Sequence, residues 1–73
     1  MSALTARQLD VLTCMVAGLD STQTAKRLKM ARSTVRTHQR FIYDRLGVSS
    51  GLAAVAVAVR DGLVDVDAVV SAR

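Results

Sequence analysis

Apolar residues recur at helical spacing along most of the chain, and short polar stretches that carry helix-capping residues separate the periodic segments. Thr5 and Asp20 are each followed three residues later by a glutamine, a pattern that matches the capping box at a helix start. Gly47 can end one helix, and Ser49 or Ser50 can cap the next. The pattern therefore predicts an all-α fold with helices at about residues 6–17, 21–29, 32–46 and 51–60, and a short C-terminal helix at about 66–72.

The third predicted helix has two different faces. At about 100° per residue, Val35, Ile42 and Leu46 fall on one side, which is expected to pack inward. The opposite side carries arginines and small hydroxyl side chains. Arginine can form a bidentate pair with guanine, and small side chains permit close approach, so this side suits the major groove of DNA. A solvated charged face, as on most amphipathic helices, is the alternative. The outward side carries Ser33, Arg36, Thr37, Arg40 and Asp44.

Most of the positive charge is gathered on this part of the chain. Residues 26–45 hold seven basic residues and one acidic residue, a net charge of +6, whereas the rest holds three basic and five acidic residues, a net charge of −2. Charge concentrated on one element favours a polyanionic partner, with nucleic acid as the first candidate and an acidic membrane surface as the second. Ordinary solubility is the alternative, because +4 is a normal net charge for a small domain.

Length and cysteine content limit the class of protein. Seventy-three residues allow one small domain, which we expect to occupy residues 1–73. The lone cysteine, Cys14, excludes an intrachain disulfide and fits a reducing cytoplasm. The chain starts without the apolar core of a signal peptide, and the apolar run at 52–59 is far too short to span a bilayer. These features predict a cytoplasmic protein without a membrane partner.

An enzymatic function is not expected. Cys14 and His38 are the only candidate nucleophile and base. Cys14 lies within an apolar helical run, which favours a small core thiol, and His38 lies between the two faces of the third helix, which favours a positioning role. One histidine and one cysteine cannot form a structural zinc site, so we predict no metal and no cofactor.

The fourth predicted helix is apolar on every face, because residues 52–59 read LAAVAVAV. Such a helix needs apolar neighbours on two sides. The core of the domain can be one neighbour, and a second copy of the protein is expected to be the other. The alternative is a tail that folds back, with Val66, Val69 and Val70 covering the exposed face. The side chains expected at the dimer interface are Leu52, Val55, Ala56 and Val59.

Three segments occur in an order and at a spacing that are specific. They read LTARQLDVLTCMVAGLD at residues 4–20, A-K-R-L-x-M-x-x-S-T-V-R-T-H at 25–38 and RLGVSSGLAAV at 45–55. Together they resemble the LuxR/FixJ/GerE-type helix-turn-helix family over about residues 4–64. The resemblance implies a four-helix DNA-binding domain, in which the second and third helices form the helix-turn-helix, the third enters the major groove and the fourth dimerises.

The resemblance also implies roles for single residues. Arg36, Thr37 and Arg40 match the base-contacting positions, and these residues lie on the outward face of the helical wheel. Thr34 and His38 match positions that contact the DNA backbone or hold the helix in place. Basic residues nearby would add attraction to phosphate. The full set expected to contact the DNA backbone is Lys26, Arg27, Lys29, Arg32, Ser33, Thr34 and His38.

Four positions depart from the family pattern. Ala31 stands where a serine usually caps the third helix, and Ser33 is the candidate to take over that cap by shifting the helix start by two residues. Lys29 occupies a turn position that is often glycine. Thr24 replaces an aliphatic core residue, so its hydroxyl is expected to be poorly satisfied when buried. Gly51 replaces a residue that is often basic, which removes one expected phosphate contact.

We therefore predict a sequence-specific transcriptional regulator of bacterial type that binds double-stranded DNA as a homodimer, with RNA polymerase as a further expected partner. One alternative is a protein-interaction adaptor that retains the fold. A second is a module like region 4 of sigma factors, which would not require the RLGVSS segment. The starting methionine and the complete first cap favour a stand-alone regulator over a fragment of a longer one.

Overall fold

Five helices account for most of the chain that the structure describes. This computed structural model describes residues 4–72, and none of them lies in a strand, so the predicted all-α class is confirmed. The bounds of the last three helices agree with the prediction, and the first two each end one residue earlier than expected. The helices are α1 (Ala6–Val16), α2 (Ser21–Leu28), α3 (Arg32–Leu46), α4 (Gly51–Arg60) and α5 (Val66–Ala72).

Side-chain caps fix the starts of three helices. At α1 the backbone N–H of Gln8 donates to Thr5 Oγ1 (3.1 Å), and the Gln8 side chain accepts from the Thr5 N–H (3.0 Å). Asp20 and Gln23 form the same reciprocal pair at α2, at 2.8 and 2.9 Å. Ser50 caps α4 with its hydroxyl oxygen, 3.2 Å from the N–H three residues on. The expected capping boxes are therefore confirmed, and each satisfies backbone donors that the helix itself leaves free.

The start of α3 lacks such a cap. Ala31 occupies the N-cap position and offers no side-chain acceptor, yet the helix begins at Arg32. The expectation that Ser33 takes over the cap and shifts the start by two residues is wrong. The Val35 N–H donates to the Ala31 carbonyl at 3.1 Å, and the Val35 side chain is fully buried. Core packing of Val35 thus holds the first turn in place without a cap.

Helix α1 lies at the centre of the fold and packs against each of the other four helices. Alanines on α4 permit its close approach, because a small side chain keeps the helix backbones near one another. Aliphatic side chains from α1 and α3 fill the remaining space and set the orientation of α3. The residues with no exposed surface at the centre are Val11 and Leu12 of α1, Val35 and Ile42 of α3, and Ala54 and Ala58 of α4.

The C-terminal helix does not cover the outward face of α4. Helix α5 packs on α1, and a guanidinium N–H of Arg27 donates to the Ser71 carbonyl at 2.8 Å. Val66 and Val70 stay exposed on the outer side of α5. The alternative in which the tail shields α4 is therefore not what the structure shows. Helix α5 has only seven residues and carries apolar side chains on both sides, so it can pack in more than one groove of the fold. The sequence periodicity therefore does not predict which groove it occupies.

Within residues 4–72, no single helix is long and apolar enough to cross a membrane. Only α3 and α4 taken together reach that length and composition, and they are bent by 57° at their connection. Both helices turn their buried side chains into the core of the protein itself.

Candidate nucleic-acid interface

The outward face of α3 is fully available on the surface. Arg36, Thr37 and Arg40 are exposed, whereas Val35 and Ile42 on the opposite side have no exposed surface. The two faces expected from the helical wheel are thus confirmed. A shallow groove of about 530 Å³ runs along the outward face, and it is lined by Ser33, Arg36, Thr37, Gln39, Arg40 and Tyr43.

The arginines on this face keep their charge unpaired. The ion pairs among residues 4–72 are Arg7–Asp10 and Arg60–Asp61, and neither involves α3. Asp44 is exposed near the C-terminal end of the helix but forms no ion pair with Arg40 in the described part of the chain. The guanidinium groups are therefore free to bind an external acceptor, and planar paired acceptors such as the guanine edge or a phosphate suit them best.

Thr37 differs from its arginine neighbours because part of its side chain is already engaged. Its hydroxyl donates to the backbone carbonyl of Ser33, one turn earlier, at 3.0 Å. The hydroxyl proton is thereby used within the helix. The methyl group, the other substituent on the β-carbon, has no such partner.

A tight turn joins α2 to α3. Lys29 ends α2 in the left-handed conformation (φ 56°, ψ 50°), and the Met30 N–H donates to the Ala25 carbonyl at 3.0 Å. A side chain other than glycine is strained there. The turn nevertheless closes, and the Lys29 side chain is exposed, three residues before the exposed Arg32 that begins α3. Lysine at this usual glycine position thus places a positive charge next to the start of α3.

The residues expected to contact the DNA backbone do not all face the same way. Lys26, Lys29, Arg32, Ser33 and Thr34 are exposed on α2, the turn and the first turn of α3. The other two differ from these five: one is exposed but bonded to α5, and one is half-buried. Arg27 is bonded to the Ser71 carbonyl of α5, and His38 is half-buried, with its Nδ1 atom buried and without a hydrogen-bond partner in the described residues.

One bracing residue was missed by sequence reasoning. Arg7 of α1 donates from one guanidinium nitrogen to the Leu28 carbonyl at the end of α2 (2.7 Å) and from another to Asp10 (3.1 Å). A cation at a helix C-terminus donates a hydrogen bond to a backbone carbonyl that has no partner in the helix. Its positive charge also interacts favourably with the negative end of the helix dipole. The contact fixes the end of α2 directly before the turn. Its partners lie 21 positions apart, and no local pattern announces such a bond.

A family model described as bacterial regulatory proteins of the luxR family matches residues 2–58 of this sequence. The chain belongs to the luxR family. The resemblance drawn from the three segments is therefore confirmed, and the chain is a DNA-binding domain of the type found in LuxR-family transcriptional regulators. The family is a class of regulators and not a class of enzymes.

Similar proteins carry the same kind of name. The chain is 44% identical over 62 residues to "Probable transcriptional regulatory protein NarL" of Mycobacterium tuberculosis, covering 85% of this chain and 29% of that protein. It is 39% identical over 59 residues to "Probable transcriptional regulatory protein SgaR" of Hyphomicrobium methylovorum, covering 81% and 28%. The crystal structure of the response regulator ChrA of a heme-sensing two-component system matches with a TM-score of 0.83 and 36% identity, over 88% of this chain and 32% of ChrA. This chain thus spans less than a third of the length of each of these relatives.

Helix α4 of this luxR-family chain has an apolar outward face. Leu52 and Val59 are 82% and 62% exposed, Ala56 is exposed, and Val55 is half-buried. A contiguous apolar patch on the surface of a protein is typical of a contact site for another protein. These four residues were the ones expected at a dimer interface; three of them are exposed in the structure, and Val55 is half-buried.

Gly51, the departure at the first position of α4, has a local packing reason. A β-carbon at this position would lie 3.3 Å from the Tyr43 hydroxyl oxygen and 3.7 Å from the terminal methyl of Met15. The absence of a side chain lets the start of α4 lie close to α3 and α1. The basic contact that the luxR-family pattern usually provides here is accordingly absent.

Cys14 and Thr24 share the interior of the α1–α2 contact. Burial raises the pKa of the Cys14 thiol, and the positive charge of Arg27 only partly opposes that effect. The Thr24 hydroxyl also lowers the pKa of the Cys14 thiol, but its effect is smaller than those of burial and the neighbouring charges. The Thr24 Oγ1 atom makes no hydrogen bond of ordinary length and angle in the described part of the chain. Thr24 is fully buried, so the expected unsatisfied hydroxyl is confirmed. The thiol, 2% exposed and protonated at neutral pH, has the properties of a core residue.

Proposed function

We propose that this luxR-family chain, as one domain over residues 1–73, binds duplex DNA at specific sequences and regulates transcription with α3 in the major groove. The observation that carries the proposal is the pair of exposed, unpaired arginines, Arg36 and Arg40, one turn apart on the face of α3 opposite the buried Val35 and Ile42. An α-helix fits the major groove, where each base pair presents a distinct set of donors and acceptors.

Sequence would be read by three side chains. Arg36 and Arg40 can each give a bidentate pair to the N7 and O6 atoms of guanine, and each good pair contributes about 1–3 kcal/mol of discrimination. Thr37 lies between them on the same exposed face. The spacing of one helical turn would place the two guanidinium groups on neighbouring base pairs, with Thr37 against a base between or beside them.

Attraction to phosphate would come from the basic and hydroxyl residues around the turn. Lys29 and Arg32 flank the uncapped start of α3, where backbone N–H groups also favour an anion. Arg27 would first have to leave the Ser71 carbonyl, and His38 would serve more as a positioning residue than as a phosphate ligand. The proposed set is Lys26, Arg27, Lys29, Arg32, Ser33, Thr34 and His38.

Dimerisation is proposed through the outward face of α4. Leu52 and Val59 lie seven residues apart on this helix, so a second copy can bury both along one stripe. Two-fold symmetry would then require two half-sites about one helical turn of DNA apart. Action on transcription in the bacterial cytoplasm, with RNA polymerase as a further partner, completes the proposal.

The test is selection of bound sequences from a random duplex pool, followed by titration of the selected and a scrambled duplex. A palindromic winner with guanines at fixed positions in each half-site supports both the readout and the symmetry. Enrichment of no sequence would refute the proposal.

A second candidate function is a protein-interaction adaptor that keeps the fold. The exposed apolar face of α4 and the uncapped start of α3 favour it. An adaptor predicts that the chain fails to shift any genomic DNA fragment in a mobility assay at low salt, whereas a regulator shifts a subset of fragments.

A further inference from the structure

We infer that Thr37 recognises thymine through its methyl group and not through hydrogen-bond donation from its hydroxyl. The inference rests on the proposed function, because it concerns the base that lies against α3 when this helix occupies the major groove. It specifies a chemical class of contact, methyl against methyl, that exposure of Thr37 alone does not specify.

The Thr37 hydroxyl is engaged in a hydrogen bond inside α3. The Thr37 hydroxyl donates to the Ser33 carbonyl at 3.0 Å, so donation to a base acceptor would require this bond to break. Thr13 of α1 makes the same bond to the Leu9 carbonyl at 2.8 Å. The same hydrogen bond is therefore made by a half-buried threonine of α1 and by an exposed threonine of α3.

The surroundings of Thr37 then select the base. Arg36 and Arg40 supply the donors on this face and suit the acceptors of guanine. Thr37 lies between these two arginines in the sequence, and its methyl group is the apolar part of an exposed side chain. In the major groove only thymine presents a methyl group, at C5, and threonine methyl against thymine methyl is a favourable apolar contact. Each half-site should therefore contain a thymine next to the guanines that the arginines bind.

The experiment replaces single thymines of the selected duplex with deoxyuridine, which keeps base pairing and removes only the C5 methyl group. We expect one position in each half-site at which this change weakens binding of the wild-type chain about fourfold, the effect of burying one methyl group. T37V retains a methyl group and should keep this sensitivity to deoxyuridine. T37S retains the hydroxyl without the methyl group and should lose it.

T13S is the matched control, since it removes the same methyl group beside the same kind of hydrogen bond on α1. It should keep the deoxyuridine sensitivity, and circular dichroism of all three variants checks that the helices form. The inference is overturned if no thymine is sensitive, if T37S keeps the sensitivity, or if T37V loses it while specific binding persists. Failure of the wild-type chain to select any sequence would instead overturn the proposed function, and the inference with it.

Discussion

Helices α3 and α4 each turn one stripe of side chains into the same core and the other stripe toward solvent, and the solvent stripes have opposite chemistry. Val35 and Ile42 of α3 and Ala54 and Ala58 of α4 are equally inaccessible. On the outside, α3 presents arginine and threonine, whereas α4 presents leucine and valine that are up to 82% exposed. Burial of the inner stripe explains why each helix forms. The outer stripe indicates the partner, a polyanion for α3 and an apolar surface for α4.

The largest expected effect comes from removing the chemistry that distinguishes α3. R36A/R40A should lose about 2–6 kcal/mol of discrimination between selected and scrambled duplexes, roughly thirtyfold to twenty-thousandfold, because two bidentate base contacts disappear. Titration of both duplexes by fluorescence anisotropy at fixed salt measures the ratio. Folding should be unaffected, since both side chains are exposed.

R60A is the matched control for R36A/R40A. Arg60 is also an exposed arginine, but it is the last residue of α4 and is paired with Asp61 at 2.8 Å. It should leave the discrimination ratio unchanged. If R36A/R40A weakened binding to the two duplexes equally, the arginines would only attract phosphate, and α3 would not read sequence.

The next effect comes from the outward stripe of α4. L52D/V59D places two carboxylates in the proposed dimer interface, so it should yield a monomer and lower the affinity for a two-half-site duplex by at least about tenfold, with little change for a single half-site. Sedimentation velocity and titrations of the two duplexes measure this. The free energy of unfolding of the monomer should stay nearly constant, because both side chains are largely exposed.

V66D provides the comparison on α5. Val66 is 74% exposed, so the same chemical change is made on a second apolar surface of the chain. If α4 alone forms the dimer, V66D stays dimeric. A dimer that survives L52D/V59D and dissociates with V66D would assign the interface to α5 and reverse the contrast between α3 and α4.

A smaller effect tests whether the core can change without altering either surface. T24V replaces a fully buried hydroxyl, which makes no hydrogen bond of ordinary length and angle within residues 4–72, with a methyl group of similar size. The free energy of unfolding should rise by about 1–2 kcal/mol, because the desolvation penalty of the hydroxyl is removed. Urea denaturation followed by circular dichroism measures this free energy.

T22V is the matched control, because it makes the same change at an exposed position of the same helix. Its free energy of unfolding should stay within about 0.5 kcal/mol of the wild-type value. A loss of stability in T24V would show that the hydroxyl is satisfied.

Local sequence signals predict the bounds of the helices and the exposed face of α3. The contacts that the sequence did not predict join residues that are far apart in the chain. The end of α3 follows from Gly47, which adopts the left-handed conformation at φ 69°, and the start of α4 follows from the Ser50 cap; both signals act within one turn. The exposed face of α3 follows from the buried positions on its opposite side. These features depend on neighbours in sequence, so periodicity and capping chemistry predict them.

The missed contacts join distant residues. Arg27 binds the Ser71 carbonyl 44 positions away, and Arg7 binds the end of α2 21 positions away. A helix end that lacks a local cap can be satisfied by a cation from anywhere in the fold. The packing of α5 against α1 likewise depends on contacts between residues that are far apart in the sequence. Sequence reasoning could therefore place basic residues on helices but could not tell that Arg27 has a partner within the fold.

The smallest predicted effect separates charge from backbone strain at the turn that precedes α3. K29A and K29G remove the same charge, so both should weaken binding to every duplex by the same factor and reduce the slope of log affinity against log salt by about 0.9. They differ in the backbone, because alanine stays strained at φ 56° and glycine does not. K29G should therefore be more stable than K29A by about 1 kcal/mol in urea denaturation. If K29G instead bound selected duplexes with lower discrimination than K29A, a rigid turn would be part of how α3 reads sequence, and the charge of Lys29 would be the lesser contribution.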